Sequence, residues 1–187
     1  MATVSEAQRA LVGLTSLAVS DFESEFQAVA AMSADEARDA LLEIVPPMGY
    51  RYSLAAAALG ADWYDDLRDQ AEVRGRYVAT PSEPVGPARW ESLVRWGVSP
   101  LYGAVAAPDD ALTLISGGLQ RTVANGHRLT VVENSVKDPR AKGWARYGSG
   151  SSCSFCRMLL SRGAVYTEAT AGFESHDHCN CYAAPSW

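Results

Sequence analysis

All four cysteines of this 187-residue chain, and two of its three histidines, fall between positions 153 and 181. Thiols used as small core hydrophobes would be scattered, so this clustering points to one shared task. The pattern is Cys153-x2-Cys156, an interval of nineteen residues, then His176-x-His178-Cys179-x-Cys181. A zinc ion takes four sulfur or nitrogen ligands at tetrahedral corners, about 2.3 Å from sulfur and about 2.0–2.1 Å from nitrogen. Two cysteines three positions apart on a tight turn supply two corners. His176-x-x-Cys179 repeats that step, and Cys181 can replace either of its members. Six candidates compete for four places, so the spacing names the cluster and leaves the final ligand set open.

Three other uses of these residues were weighed. Four cysteines permit two disulfides in three connectivities. The amino terminus, Met1 to Glu6, shows no basic leader or apolar core, so the reading expects an intracellular chain in which bridges do not persist. A thioredoxin-like redox pair needs a βαβ setting, whereas Cys153 follows the polar run Gly148-Ser149-Gly150-Ser151-Ser152. A catalytic zinc keeps one corner for water, and a surplus of ligands favours a closed, structural site.

Hydrophobic content of 48% and charged content of 20% are ordinary for a globular protein. Apolar stretches such as Leu54 to Ala61 are far short of the ~20 residues that cross a bilayer, so no membrane association is expected. The net charge of −6 is uneven: residues 1–75 hold 13 acidic and 5 basic side chains, and residues 76–187 hold 9 and 11. Eight basic residues between 121 and 162 face only Glu133 and Asp138. That local excess suits either a solvated helix face with ion pairs or a surface for phosphate. An acidic chain overall is a poor dedicated DNA binder.

Hydrophobic periodicity predicts a mainly α fold. Leu11, Leu14, Ala18, Phe22, Phe26 and Val29 line one face of a helix from about Ser5 to Met32. Ser33-Ala34-Asp35-Glu36 reads as a capping box opening a second helix, which Pro46-Pro47 should stop. A third helix is expected from about Tyr50 to Val73, with Asp62, Asp65, Asp66 and Asp69 on a wet face. Pro81, Pro84 and Pro87 mark a linker or extended surface loop. Trp90, Leu93, Val94 and Trp96 mark a short helix ending near Gly97 to Pro100. Another helix begins at Pro108, with Asp109 or Asp110 as its cap. Leu112, Ile115, Leu119 and Val123 form its stripe, and Gly117-Gly118 suggests a close helix contact. Ala164 to Thr167 is the best strand signal, half of a small hairpin. The organisation expected is a helical region over 1–79, a Pro-rich linker and short helix over 80–108, and a helix plus a zinc-knuckle-like module with a short β-hairpin over 109–187. Such a module, rich in Gly, Ser and Ala, is too small to hold itself by apolar burial. Metal ligation would supply about 10–16 kcal/mol of apparent binding.

Asn125-Gly126-His127-Arg128, Gly143-Trp144-Ala145-Arg146, the run Cys153 to Tyr166, and His176 to Cys181 together resemble the Mu F-like minor capsid proteins of tailed bacteriophages, in the version found in actinobacteriophages. The resemblance is specific over about residues 119–182 and general in front of them. The family signature, C-x2-C followed by H-x2-C-x-C, maps onto Cys153, Cys156, His176, Cys179 and Cys181, with Zn2+ as the ion implied. His178 lies between the family's usual positions, and Asp177 stands where the family has proline.

The resemblance implies a structural, non-enzymatic part of the phage head, in the virion interior and in the host cytoplasm during assembly. The partners it implies are the portal protein, the major capsid protein or scaffold. The local positive charge, apart from the resemblance, suggests contact of Arg146, Arg157 and Arg162 with packaged DNA or the acidic lumen of a portal. The alternative is a capsid maturation protease. His127 is the only histidine outside the cluster, and it is expected to pack or cap at a turn-like Asn125-Gly126 rather than to serve as a base. The thiols come in metal-spaced pairs, unlike the lone activated thiol of a cysteine protease.

Overall fold

Helix α1 (Val4–Val29) forms where the apolar stripe predicted it, burying Leu11, Ala18, Phe22, Phe26 and Val29. The computed structural model describes residues 4–148, 154–167, 172–179 and 181–187. Ser33 then caps helix α2 (Ala34–Gln70) through a reciprocal capping box: the Glu36 carboxylate accepts from the Ser33 N–H at 3.0 Å, and Ser33 Oγ accepts from the Glu36 N–H at 3.4 Å.

Pro46-Pro47 does not end that helix. Both prolines lie inside α2, so the second and third expected helices are one. A proline in a helix removes the hydrogen bond to the carbonyl four residues back and costs about 3 kcal/mol. Here those carbonyls belong to half-buried Leu42 and exposed Glu43, where water can replace the missing donor. The opposite face buries Leu41, Val45, Met48 and Gly49. A Cβ on Gly49 would stand 2.6 Å from the Trp90 ring, so α2 is clamped at the proline pair by close packing.

Helix α3 (Pro87–Gly97) buries Trp90, Leu93 and Val94, and a 3-10 turn (Ser99–Tyr102) follows. Helix α4 (Pro108–Lys137) is the centre of the fold, packing against α1, α2, α3, the 3-10 turn and both strands. Its cap differs from expectation: Ala107 occupies the N-cap without a side-chain bond, and Asp109 and Asp110 sit in the first turn. Asn125-Gly126 is helical, not a turn. Small residues let α2 and α4 touch backbone to backbone. A Cβ on Gly126 would lie 2.6 Å from the Ser53 carbonyl oxygen, and one on Gly60 2.9 Å from that of His127. The close contact expected at Gly117-Gly118 is present, with Gly118 against Leu93.

The Pro-rich stretch is bound to α4. Asn134 accepts from the Thr80 N–H at 3.0 Å and donates to the Thr80 carbonyl at 2.8 Å, while Thr130 Oγ1 accepts from the Ser82 N–H at 2.9 Å. These side chains imitate a strand partner for a segment whose prolines cannot supply a ladder.

Strand β1 (Gly143–Tyr147) pairs antiparallel with β2 (Tyr182–Ser186), Gly143 opposite Ser186 and Tyr147 opposite Tyr182. The excursion that carries the clustered cysteines and histidines, including helix α5 (Ser154–Leu160), lies between them in sequence. The expected strand at Ala164 to Thr167 is reduced to one bridge, Tyr166 against Trp144. The result is a mainly helical chain with a small carboxy-terminal sheet. Among the described residues, no helix is long and apolar enough to cross a membrane.

At the far end of α4, buried Asp138 accepts from Arg68 Nε at 2.8 Å, and the same guanidinium reaches the carbonyls of Val73 and Gly75. Breaking a buried pair leaves an uncompensated charge. Asp138→Asn is therefore expected to lower unfolding free energy by about 3–5 kcal/mol, read from urea denaturation. A loss below about 1 kcal/mol would show that Arg68 is solvated in the folded chain.

Candidate metal centre

One face of α4 positions the centre. Gly117, Arg121, Asn125 and Arg128 recur at helical spacing, and the segment carrying the second set of candidate ligands lies along them. A Cβ on Gly117 would stand 2.8 Å from His178 Nε2. Arg121 pairs with Asp177 at 3.2 Å. The Ser175 hydroxyl donates to Asn125 at 3.2 Å. Arg128 reaches the backbone around the cysteines. His178 takes a left-handed conformation, φ 58°, which turns the chain between His176 and Cys179.

Helix α5 brings Cys156 to this segment, and Cys181 stands directly before β2. The sulfurs of Cys156, Cys179 and Cys181 lie within 4.8 Å of one another, and all three residues are buried. Cys156 Sγ is 3.6 Å from Cys179 Sγ and 3.6 Å from His176 Nε2. A zinc tetrahedron has sulfur–sulfur edges of about 3.8 Å and sulfur–nitrogen edges of about 3.6 Å. The two contacts of Cys156 match these, while His176 lies beside Cys156 and outside the group of three sulfurs that are mutually within 4.8 Å. His176 Nδ1 lies 2.7 Å from the Asp177 carbonyl. A proton on Nδ1 satisfies that carbonyl and leaves the Nε2 lone pair facing Cys156, the usual outer partner of a metal-binding imidazole. Of the six sequence candidates, the structure gathers Cys156, His176, Cys179 and Cys181. It turns His178 toward α4, and Cys153 lies outside the described residues.

The site's electrostatics favour thiolate. Cys179 is held well below the usual thiol range, chiefly by its hydrogen bond with Cys181 and further by the Cys181 backbone and the Arg128 guanidinium. The same bond and burial push Cys181 up, so the two share one proton when no ion is present. Three soft sulfurs and one imidazole can hold a transition metal.

Sequence reasoning did not identify Arg128 as a site residue. It is 0% exposed. Its Nε donates to the Cys181 carbonyl at 2.7 Å, one Nη donates to the Cys179 carbonyl, and the other donates to Asn125 and Ser175 at 2.9 and 3.0 Å. The legible signal was an arginine at helical spacing between Ala124 and Val131, both buried. Arg146, expected to face DNA, is 4% exposed. It donates to the Glu174 carbonyl at 2.7 Å and lies over the Phe173 ring at 3.8 Å. Arg157 and Arg162 are exposed.

His127 neighbours the site without joining it. Fully buried against Trp63, with ring centroids 5.3 Å apart, it has no hydrogen bond to either nitrogen. Burial first, and then Arg128, lowers its pKa to about 3. An unfolded imidazole binds its proton near pH 6.5. Stability from the neutral ring is therefore complete above about pH 6.5 and lost as pH falls toward about 3, at up to about 1.4 kcal/mol per unit. His127→Phe should flatten the fall of the urea midpoint between about pH 6.5 and 4.5. Parallel curves for the two proteins would show that the folded ring takes up a proton normally.

The family model of the VG15 protein matches residues 1–187. Among curated proteins, the Gene 15 protein of Mycobacterium phage D29 is 30% identical over 141 residues, 71% of this chain and 49% of that protein. The Gene 15 protein of Mycobacterium phage L5 is 30% identical over 131 residues, 66% of this chain and 43% of its own length. The chain thus spans about half the length of the curated relatives it matches. No solved structure matches it. With the family model covering its whole length, the chain belongs to the VG15 protein family.

Proposed function

We propose that this chain is a structural, minor capsid component of a tailed phage head, of the Mu F-like kind, whose carboxy-terminal module is folded around a zinc ion held by Cys156, His176, Cys179 and Cys181. The observation that carries this reading is the donor set: two sulfurs and an imidazole nitrogen spaced like tetrahedral edges, with Cys181 Sγ beside them. Four protein ligands leave no corner for water, and a closed site of this kind stabilises rather than catalyses. Zinc suits mixed sulfur and imidazole donors in tetrahedral geometry. The two mycobacteriophage relatives support the phage setting; the placement in the head rests on the sequence resemblance.

The role proposed is assembly, with the portal, major capsid protein or scaffold as partners inside the head. Arg157 and Arg162 on the exposed side of the module remain available to packaged DNA. A protease finds little support among the described residues. His127 is the one histidine away from the cluster, and its buried ring hydrogen-bonds neither a hydroxyl nor a thiol, whereas a general base must reach the proton it takes.

Elemental analysis of the purified chain should give about one zinc per molecule. Chelation should expose the buried thiols to a thiol reagent and lower the thermal midpoint. A chain that is metal-free, ordered and slow to react would refute the metal reading. In fractionated particles the protein should accompany mature heads, and incubation with major capsid protein should yield no cleavage. Specific cleavage lost with His127→Ala would favour the protease instead.

A further inference from the structure

Among the described residues, two neighbouring buried cations, Arg128 and Arg146, have no acidic partner. Arg128 donates only to carbonyls, to Asn125 and to Ser175. Arg146 donates to one carbonyl, and its Nε and second Nη have no hydrogen-bond partner among the described residues. Both guanidiniums lie against the same Phe173 ring, at 3.8 Å for Arg146 and 5.2 Å for Arg128. Among the described residues no carboxylate forms a salt bridge with either. Carbonyl dipoles satisfy donors but do not cancel a charge, and an uncancelled buried charge is costly. Arg128 is bonded to the backbone of two of the three clustered cysteines, Cys179 and Cys181, and Arg146 shares the Phe173 ring with it.

Resting on the metal reading above, we infer that the buried Arg128, together with Arg146, is the counter-charge of the metal centre, so that ion binding and docking of the module onto α4 are one coupled event. A divalent ion with three thiolates and a neutral imidazole carries one net negative charge. Such a centre is a fixed anion set against the guanidinium. The grip is directional as well. Arg128 holds the carbonyls of Cys179 and Cys181, the residues that bear two of the ligands, so its fork sets their spacing from α4. Coupling of this kind is reciprocal: the arginine strengthens metal binding, and the metal removes the penalty of burying the arginine.

That reciprocity separates an electrostatic partner from a hydrogen-bonding strut. A strut lost by mutation weakens the loaded and metal-free proteins alike. A counter-charge lost by mutation weakens only the loaded one, and relieves the metal-free one. The test uses the full chain and four variants, Arg128→Met, Arg128→Lys, Arg146→Met and Glu168→Gln, Glu168 being the one acidic side chain outside the described residues. Zinc affinity is measured by competition with a chromogenic chelator, and thermal midpoints are recorded with and without zinc. Arg128→Met should weaken zinc binding by about 10–100-fold, the range for lost outer partners of metal ligands. The midpoint gap between loaded and metal-free protein should shrink well below that of the natural chain. Arg128→Lys, which keeps the charge and loses the fork, should recover part of the affinity. Arg146→Met gives up a single hydrogen bond. It should raise the metal-free midpoint while weakening zinc, and it carries the test if Arg128→Met fails to fold. Glu168→Gln should leave both readouts unchanged.

An unchanged zinc affinity or an unchanged midpoint gap in the arginine variants, with zinc still bound by the natural chain, overturns the counter-charge and leaves the metal reading standing. A loss in Glu168→Gln equal to that in Arg128→Met overturns it too, because the balancing charge would then be that carboxylate. A natural chain that binds no zinc removes the metal reading and this inference together.

Discussion

The bond between the Arg128 guanidinium and the carbonyls of Cys179 and Cys181 is the constraint on which the carboxy-terminal half depends. It fixes a ligand-bearing segment against the middle of the most buried helix. A guanidinium is the side chain suited to this, since its planar fork serves several acceptors while remaining charged. Burial lowers its pKa only to about 10, the thiols pulling the other way, so it stays cationic near neutrality. Everything laid along α4 beside it, from Gly117 to Asn125, keeps register with that one anchor.

Aromatic packing supports the module independently of any metal. Trp144 stacks on Tyr166 at 4.4 Å between ring centroids and tilts against Phe173 at 5.5 Å, while Tyr182 meets Trp63 of α2 edge-on at 5.8 Å. These rings join the same hydrophobic cluster as the helical core. Composition alone, with its Gly, Ser and Ala, suggested a module without an apolar interior. A handful of aromatic residues outweighs that average, because each buries about 150–250 Å². The three sulfurs belong to the same buried cluster as this aromatic seam, and the seam attaches the module to α2 and α4.

Where the sequence was legible, a local rule and the packed structure agree. The capping box at Ser33, the stripe of α1 and the clustered Cys and His residues each express a preference that tertiary contacts reinforce. Where it misled, packing overrode the local rule. Pro46-Pro47 forbids a helix locally, yet Val45, Met48 and Gly49 are held from outside the helix. Asn125-Gly126 reads as a turn, yet Gly126 is the only residue that fits against the Ser53 carbonyl. Strands β1 and β2 were unreadable as a pair because thirty-odd residues separate them and their pairing depends on the excursion closing. Arg128 went unassigned because charge patterning treats an arginine as a solvated group, whereas its partners here are carbonyls over 40 residues away in sequence.

The path of the chain after the last ligand links the two ends of α4. Cys181 leads without a break into β2, and β2 ends at Ser186 next to Trp187, whose ring meets Tyr64 at 5.4 Å and lies 5.9 Å from the Arg68 guanidinium. Arg68 is the partner of Asp138 at the carboxy-terminal end of α4. One continuous strand therefore runs from the donor cluster, held at Arg128, to the buried ion pair that joins α2 to the end of α4. Among the described residues strand β2 has β1 as its one sheet neighbour, and a two-stranded ribbon is weak by itself. Its position depends on what fixes its two ends, the ligands before Tyr182 and the aromatic contacts of Trp187. Loosening the first end lengthens the free segment and lowers the effective concentration of the second at its seat. The donor cluster thus bears on the α2–α4 junction through covalent continuity, without a conformational relay through α4 itself.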